Sequence, residues 1–147
     1  MKARYAVQAL VYMASQSRDE GTFVARKIAE AEDIPQKFLE EILLDLRKEG
    51  ILQSKAGKSG GYKLKIPAPK ISLQIVFQAI SDPMAVNSAQ DNRAASALLD
   101  DVGYLLDPVE QELKAVRLNV LERVTIDQLV KRKAEMTRDE SALDFQI

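Results

Sequence analysis

Lysine and glycine residues are concentrated in one stretch of this chain, from which acidic residues are missing. Between Gly50 and Ser81 there is neither Asp nor Glu, although the whole chain carries a net charge of −1. The lysines surround a glycine-rich centre, and they are Lys55, Lys58, Lys63, Lys65 and Lys70. Ammonium groups gathered on an otherwise slightly acidic chain are suited to binding phosphate groups, so this stretch predicts a polyanionic partner.

Two other interpretations of the stretch remain open. A run of charge usually faces water, so the lysines could simply solvate a hairpin. Gly60 and Gly61 could cradle the phosphate of a small molecule, although no helix N-terminus follows them directly. The absence of acid, next to the helix pair described below, favours contact with nucleic-acid phosphates. The residues expected to make it are Lys55, Lys58, Ser59, Gly60, Tyr62 and Lys63.

The composition weighs against catalysis and against a bound cofactor. The chain has no Cys and no His, which excludes disulfides, zinc ribbons and thiolate-ligated iron–sulphur clusters and removes the commonest catalytic base. No carboxylate pair stands in a recognisable catalytic setting. No apolar run approaches the roughly 20 residues that span a bilayer, and no signal-peptide cleavage pattern is present. We therefore expect a cytoplasmic protein that is not an enzyme and needs no cofactor, metal or membrane.

Hydrophobic periodicity predicts three helices ahead of the basic stretch. The first covers Ala6 to Ala14, and the second covers Ala25 to Ala31 with a poorly signalled start. The third runs from Pro35 to Glu49, because Pro suits the first helical position and Gly50 the position after the last. Together the second and third helices have the outline of a helix-turn-helix.

The N-terminal end of the third helix carries side chains that can read bases. Gln36 can pair with adenine, Lys37 with guanine or phosphate, and Glu40 can accept a hydrogen bond from cytosine. The alternative is an ordinary polar helix face. Glu40 and Glu41 are like charges near DNA, a cost unless at least one of them reads a base, whereas Phe38 is expected to pack against the protein.

The basic stretch itself reads as a hairpin. One strand is predicted at Ile51 to Ser54, and Tyr62 to Ile66 shows the two-residue alternation of the other. Positive φ angles are expected at the connecting glycines, which are Gly57, Gly60 and Gly61. A fourth helix is predicted to begin near Ser72. A helix pair followed by a glycine-tipped basic hairpin is typical of a winged helix-turn-helix, so the predicted fold is mainly α with a small β-hairpin wing.

The C-terminal half shows a heptad-like repeat. After a predicted surface loop over residues 81–97, apolar residues recur at spacings of three and four from Leu98 to Val120. Asp107 and Pro108 resemble a helix start, so a short helix to Leu106 and a longer one from Pro108 to Arg123 are expected. The residues expected at a dimer interface are Val109, Leu113, Val116 and Val120; the alternative is a core within one chain.

A last helix is predicted from Ile126 to Ala134. Thr125 and Gln128 are spaced as a capping box at its start. The predicted organisation is a DNA-binding domain over residues 1–80, a loop over 81–97, dimerisation helices over 98–134 and a charged, frayed tail over 135–147.

These pieces in this order resemble the IscR/CymR-type family of bacterial winged-helix transcription regulators. The resemblance covers about Lys2 to Lys133, and its motifs together are fairly specific. The matching stretches are Lys2-Ala3-Arg4-Tyr5-Ala6-Val7, Ile28-Ala29-Glu30, Ile34 with Phe38-Leu39-Glu40, Gly50-Ile51-Leu52, Gly57 with Gly60-Gly61-Tyr62, and Val124-Thr125-Ile126-Asp127-Gln128-Leu129-Val130.

The resemblance implies a homodimeric regulator, such as a repressor, that binds double-stranded DNA at inverted-repeat operators. It places Lys2, Arg4 and Tyr5 beside the DNA backbone. Many family members carry three cysteines for an iron–sulphur cluster in the loop before the long helix. This chain has none and therefore resembles a cluster-free branch, whose effector could be a metabolite, a partner protein or nothing. It also has Ala56 where many members have Arg. The competing hypothesis is a winged-helix protein-interaction module that binds an acidic protein.

Overall fold

The computed structural model describes residues 1–16, 21–58, 60–80 and 103–144. Over that part of the chain it contains six α-helices and a two-stranded antiparallel sheet, with a 3₁₀ turn at Ala68–Lys70. The elements are α1 (Lys2–Gln16), α2 (Ala25–Glu32), α3 (Gln36–Lys48), β1 (Leu52–Lys55), β2 (Gly61–Leu64), α4 (Leu73–Ala79), α5 (Gly103–Arg123) and α6 (Ile126–Asp144). None of these helices is long and apolar enough to cross a membrane.

The core forms where α1, α2, α3 and α4 meet the base of the hairpin. One face of α3 supplies its centre, because apolar residues at helical spacing point to the same side. Those residues are fully buried, and they are Leu39, Ile42, Leu43 and Leu46. Leu10 and Met13 of α1 and Ile28 of α2 are also fully buried in the same cluster. The predicted mainly-α fold with a small hairpin is confirmed.

The connection between α2 and α3 is a tight turn. Asp33 adopts a left-handed conformation, with φ 51° and ψ 50°, and the Ile34 N–H donates to the Ala29 carbonyl at 3.0 Å. The Ile34 side chain is buried beneath the turn. Pro35 lies just before the first residue of α3, one position earlier than predicted. The turn thereby fixes how α3 leaves α2.

The hairpin pairs Leu52 with Leu64 and Lys55 with Gly61. A third segment joins it, because the Phe23 N–H donates to the Tyr62 carbonyl at 2.7 Å and the Tyr62 N–H donates to the Phe23 carbonyl at 2.8 Å. The hairpin is therefore tied to the residues that lead into α2.

Two of the three wing glycines have the positive φ that was predicted, at +101° for Gly57 and +150° for Gly61. The prediction for Gly60 is wrong, since its φ is not positive. Space explains this glycine instead: a Cβ there would lie 2.5 Å from the Lys55 carbonyl oxygen.

Three predicted helix boundaries are also wrong. α1 begins at Lys2 rather than Ala6, because its first residues contain no breaker and the Tyr5 N–H already donates to the Met1 carbonyl at 3.2 Å. α5 is one helix that runs through Pro108, so Asp107 is not its cap; Pro removes a single N–H from the helix. α6 continues to Asp144 rather than ending at Ala134. The predicted loop and the start of the heptad repeat lie outside the described residues.

The start of α6 is a capping box, as predicted. The Gln128 N–H donates to Thr125 Oγ1 at 3.4 Å, and the Thr125 N–H donates to Gln128 Oε1 at 3.3 Å. The residues beside the box join the front of α4, because the Leu73 N–H donates to the Val124 carbonyl and the Ile126 N–H to the Ile71 carbonyl, both at 2.9 Å. α6 packs against α1, so the last helix contacts the N-terminal part of the fold.

Candidate nucleic-acid interface

The wing exposes its cations. The side chains of Lys55, Lys58 and Lys63 are exposed, and none of the three forms an ion pair within the described part of the chain. Lys63 is exposed because successive strand residues face opposite sides, and its neighbours Tyr62 and Leu64 pack towards the core. The ammonium groups are therefore available to an external anion. Of the other predicted wing contacts, Gly60 and Tyr62 are half-buried and Ser59 lies outside the described residues.

The predicted base-reading residues lie together on the first turns of α3. Gln36, Lys37 and Glu40 are all exposed. Gln36 Nε2 donates to Glu40 Oε1 at 2.8 Å, as residues four apart on a helix can. The pair still has donor and acceptor positions facing solvent, since an amide and a carboxylate each offer more than one. Gln36 and Glu40 therefore form a single polar unit at the exposed end of α3.

The N-terminus of α1 lies against α3. Lys2 Nζ is 2.8 Å from Asp45 Oδ2, and the Tyr5 ring meets the Phe38 ring edge-to-face with centroids 5.7 Å apart. The hydrogen bond from Lys2 is the main cause of a lowered pKa at Asp45, opposed by partial burial and assisted by Lys48. Phe38 packs within the protein, as expected.

The contacts of this segment bear on its predicted role at DNA. The ammonium of Lys2 and the ring of Tyr5 both hold α1 against α3, whereas Arg4 is exposed. Of the three residues predicted to contact the DNA backbone, Arg4 is thus the one whose side chain is most available. Their contact with DNA remains a prediction.

Other cations near the helix pair were not singled out from the sequence. Arg26 and Lys27 are exposed on the first turn of α2, where the helix N-terminus favours anions. Arg47 at the end of α3 donates to Ser54 Oγ at 3.3 Å and so links α3 to β1. The two cations that begin α2 are visible in the sequence, but the link from Arg47 depends on the path of the hairpin.

An apolar stripe runs along α5 on the outside of the chain. Its predicted interface residues have exposed fractions of 52% for Val109, 65% for Leu113, 57% for Val116 and 42% for Val120. Leu105 and Leu106, which had not been assigned to the interface, are exposed by 58% and 47%. The alternative in which these side chains form a core within one chain is therefore wrong. A row of large apolar side chains this exposed is characteristic of an interaction surface.

A helix-turn-helix with a basic wing and an exposed polar end of its second helix defines a winged-helix DNA-binding protein. Comparison with protein families agrees, because the model of the Rrf2 family, described as iron-dependent transcriptional regulators, matches residues 1–132. The chain belongs to the Rrf2 family of transcriptional regulators. The predicted IscR/CymR-type identity and the prediction that it is not an enzyme are both confirmed.

Individual relatives point the same way. The chain is 35% identical to an HTH-type transcriptional regulator of Mycobacterium tuberculosis over 126 residues, which are 85% of this chain and 76% of the relative. It is 29% identical to the regulator IscR of Pectobacterium carotovorum over 132 residues, covering 90% and 78% of the two chains.

Solved structures show the same fold. IscR of T. potens superposes with a TM-score of 0.71 at 24% identity, covering 92% of this chain and 88% of that one. CymR, the global cysteine regulator of B. subtilis, superposes with a TM-score of 0.62 at 23% identity, covering 90% and 95%.

The iron named in the family description does not fit the residues of this chain. With no Cys and no His, the sequence lacks the ligands that hold iron–sulphur clusters. Within the described ranges, no group of three or more acidic side chains is placed to hold a metal ion either. Iron therefore enters none of the steps considered below.

Proposed function

We propose that this protein is a homodimeric, sequence-specific DNA-binding regulator that recognises an inverted-repeat operator without an iron–sulphur cluster. The observation that carries the proposal is the exposed, ion-pair-free set of Lys55, Lys58 and Lys63 beside the exposed polar end of α3. The wing supplies charge and the helix supplies hydrogen-bonding groups, which are the two parts of a DNA-binding surface.

The wing lysines would act on the phosphate backbone. Each ammonium that neutralises a phosphate releases condensed counterions, so affinity falls as salt rises. The acid-free stretch from Gly50 to Ser81 favours this role, because no carboxylate lies close in sequence to compete for the lysines. Such contacts bind all duplexes alike and hold the protein in register.

The Gln36–Glu40 unit and Lys37 would read bases in the major groove. An amide donates and accepts at adenine, and a carboxylate accepts from cytosine. Because Gln36 and Glu40 are already bonded at 2.8 Å, their side chains are restricted before DNA arrives. Ordering them on binding therefore costs less conformational entropy than ordering two free side chains.

The α5 stripe would bind the same stripe of a second copy. The first half of α5 carries Asp107, Glu110 and Glu112 without a base, whereas Lys114, Arg117 and Arg123 outnumber Glu122 in the second half. An antiparallel pair places the acidic half of each helix beside the basic half of the other, and the two helix dipoles then oppose each other favourably. A two-fold dimer requires an inverted repeat, with half-sites about 10 base pairs apart or a multiple of that spacing.

As a regulator of bacterial transcription the protein would act in the cytoplasm, where its DNA is, and a dimer bound over a promoter would repress by occupying it. The signal that controls it would be an effector other than a cluster, such as a small molecule or a partner protein.

A binding selection on random duplexes tests the proposal. We expect wild type to enrich one inverted repeat and a variant with all three wing lysines changed to Ala to bind weakly to every sequence. Lys70→Ala is the matched control, since Lys70 is an exposed lysine of the same stretch but lies in the 3₁₀ turn beyond the hairpin. If wild type enriches no inverted repeat, and binding survives the loss of the three lysines, a protein-interaction module for an acidic partner becomes the better explanation.

A further inference from the structure

One ion pair joins the last helix to the helix-turn-helix. Lys133 Nζ on α6 lies 3.2 Å from Glu32 Oε1, the last residue of α2, and the two residues are 101 positions apart in sequence. The other ion pair of α6 in the described part of the chain, Lys131 to Asp127 at 2.8 Å, stays within the helix. Lys133 is therefore the α6 cation whose partner belongs to the DNA-binding unit.

Lys133 is held in place by the packing of its helix. Ile126 is fully buried, and Leu129 and Val130 pack against the core. Residues 126, 129, 130 and 133 follow the spacing of a single helix face. The ion pair thus continues the apolar contact of α6 and does not depend on a freely moving side chain.

Glu32 lies at a sensitive place. Its side chain is 13% exposed, against 56% for Lys133, and a carboxylate withdrawn from water needs a compensating partner. The next residue, Asp33, is the left-handed residue of the turn, and the N–H of Ile34 closes the turn on Ala29. The position of Glu32 is therefore coupled to the direction in which α3 departs.

We infer that Lys133 is a positioning residue for DNA recognition, which rests on the function proposed above. By holding Glu32, it fixes the turn between α2 and α3 and so the orientation of the Gln36–Glu40 unit. α6 begins at the joint where Val124 and Ile126 bond to the front of α4, directly after α5. The same helix therefore links the proposed dimer helix to the turn that aims the recognition helix.

The test compares Lys133→Ala with Lys131→Ala, which removes the same charge from the same helix but breaks only an intrahelical pair. The probes are the duplex enriched by wild type and a scrambled duplex. We expect Lys133→Ala to reduce the preference for the enriched duplex about fivefold, with unchanged binding to the scrambled duplex and unchanged dimer mass. Lys131→Ala should keep the wild-type preference. Equal losses in the two variants, or no loss in either, would overturn the inference.

A second measurement does not depend on DNA. Hydrogen exchange of the Ile34 amide should speed up in Lys133→Ala and in Glu32→Gln, but not in Lys131→Ala. The exchanged pair Glu32→Lys with Lys133→Glu should recover part of the protection. Unchanged exchange in the first two variants would show that the ion pair does not hold the turn. If wild type selects no duplex, the proposed function fails on its own, and the exchange result still decides whether Lys133 fixes the turn.

Discussion

Replacing Gly61 by Ala tests how the wing is attached to the rest of the fold. Two separate effects meet at this residue. Its φ of +150° is one that L side chains rarely adopt, and an added Cβ would lie 2.6 Å from the Phe23 carbonyl oxygen. That oxygen accepts the Tyr62 N–H, and the Phe23 N–H donates back to Tyr62. Relieving the contact must move Phe23 away from the hairpin.

The expected size follows from those two effects. Backbone strain of this kind costs about 1–3 kcal/mol. Losing the two hydrogen bonds of the Phe23–Tyr62 bridge costs about 0.5–1.5 kcal/mol each. The sum is roughly 2–6 kcal/mol, a large part of the roughly 5–15 kcal/mol that stabilises a typical domain. A detached wing should also weaken DNA binding, because the lysines would no longer be held beside α3.

Gly57→Ala is the matched control. Gly57 also has a positive φ, +101°, but an added Cβ there meets nothing within 4 Å. Only the strain remains, which predicts a loss of about 1–2 kcal/mol. Urea unfolding of both variants at one protein concentration gives the comparison, since the stability of a dimer depends on concentration. Equal stabilities of the two variants would refute the idea that contact with Phe23 requires glycine at position 61.

Three further predictions follow from the interface, the α1–α3 contact and the composition. Changing both Leu113 and Val116 to Glu should give monomers in light scattering, because unpaired charges in an apolar seam cost several kcal/mol, whereas Gln111→Glu should leave the mass unchanged if residue 111 lies outside the seam. The lowered pKa of Asp45 means that its contact with Lys2 stabilises the fold above the unfolded pKa of about 3.9 and is lost as pH falls through the lower folded value. Asp45→Asn should therefore destabilise the protein near pH 7, and the difference should shrink in acid unfolding curves; a constant difference would contradict this. Anaerobically purified protein should contain no stoichiometric iron and sulphide and show no charge-transfer absorption, and finding them would disprove the cluster-free assignment.

Local signals explain what the sequence could predict. The Thr125–Gln128 capping box, the Ser72 cap of α4 (Ile75 N–H to Ser72 Oγ, 3.3 Å) and the positive φ of Gly57 each depend on residues a few positions apart. The winged-helix fold was predictable because its hydrophobic periods are strong and its turns carry Gly or Pro. The exposed wing lysines followed from the same alternation of side chains along a strand.

What could not be predicted depends on contacts between distant residues. Lys2 was expected at DNA, but its ammonium meets Asp45, 43 positions away. The start of α1 was placed too late because the contact of Tyr5 with Phe38 is tertiary. Pro108 was taken for a helix start on local grounds, and the continuous α5 overrides that signal. The role of Gly60 in avoiding the Lys55 carbonyl is likewise visible only once the hairpin is folded.

The central claim, a dimer on an inverted repeat held by the wing, is tested most directly by anisotropy titrations of the enriched duplex across a salt series. The same duplex with one half-site scrambled serves as its partner. We predict one dimer per duplex and a marked loss of affinity when a half-site is scrambled. The salt slope should fall by about 1 for each of Lys55, Lys58 and Lys63 changed to Ala. Equal affinity for the two duplexes, with a salt slope that the lysine changes leave unaltered, would contradict the claim.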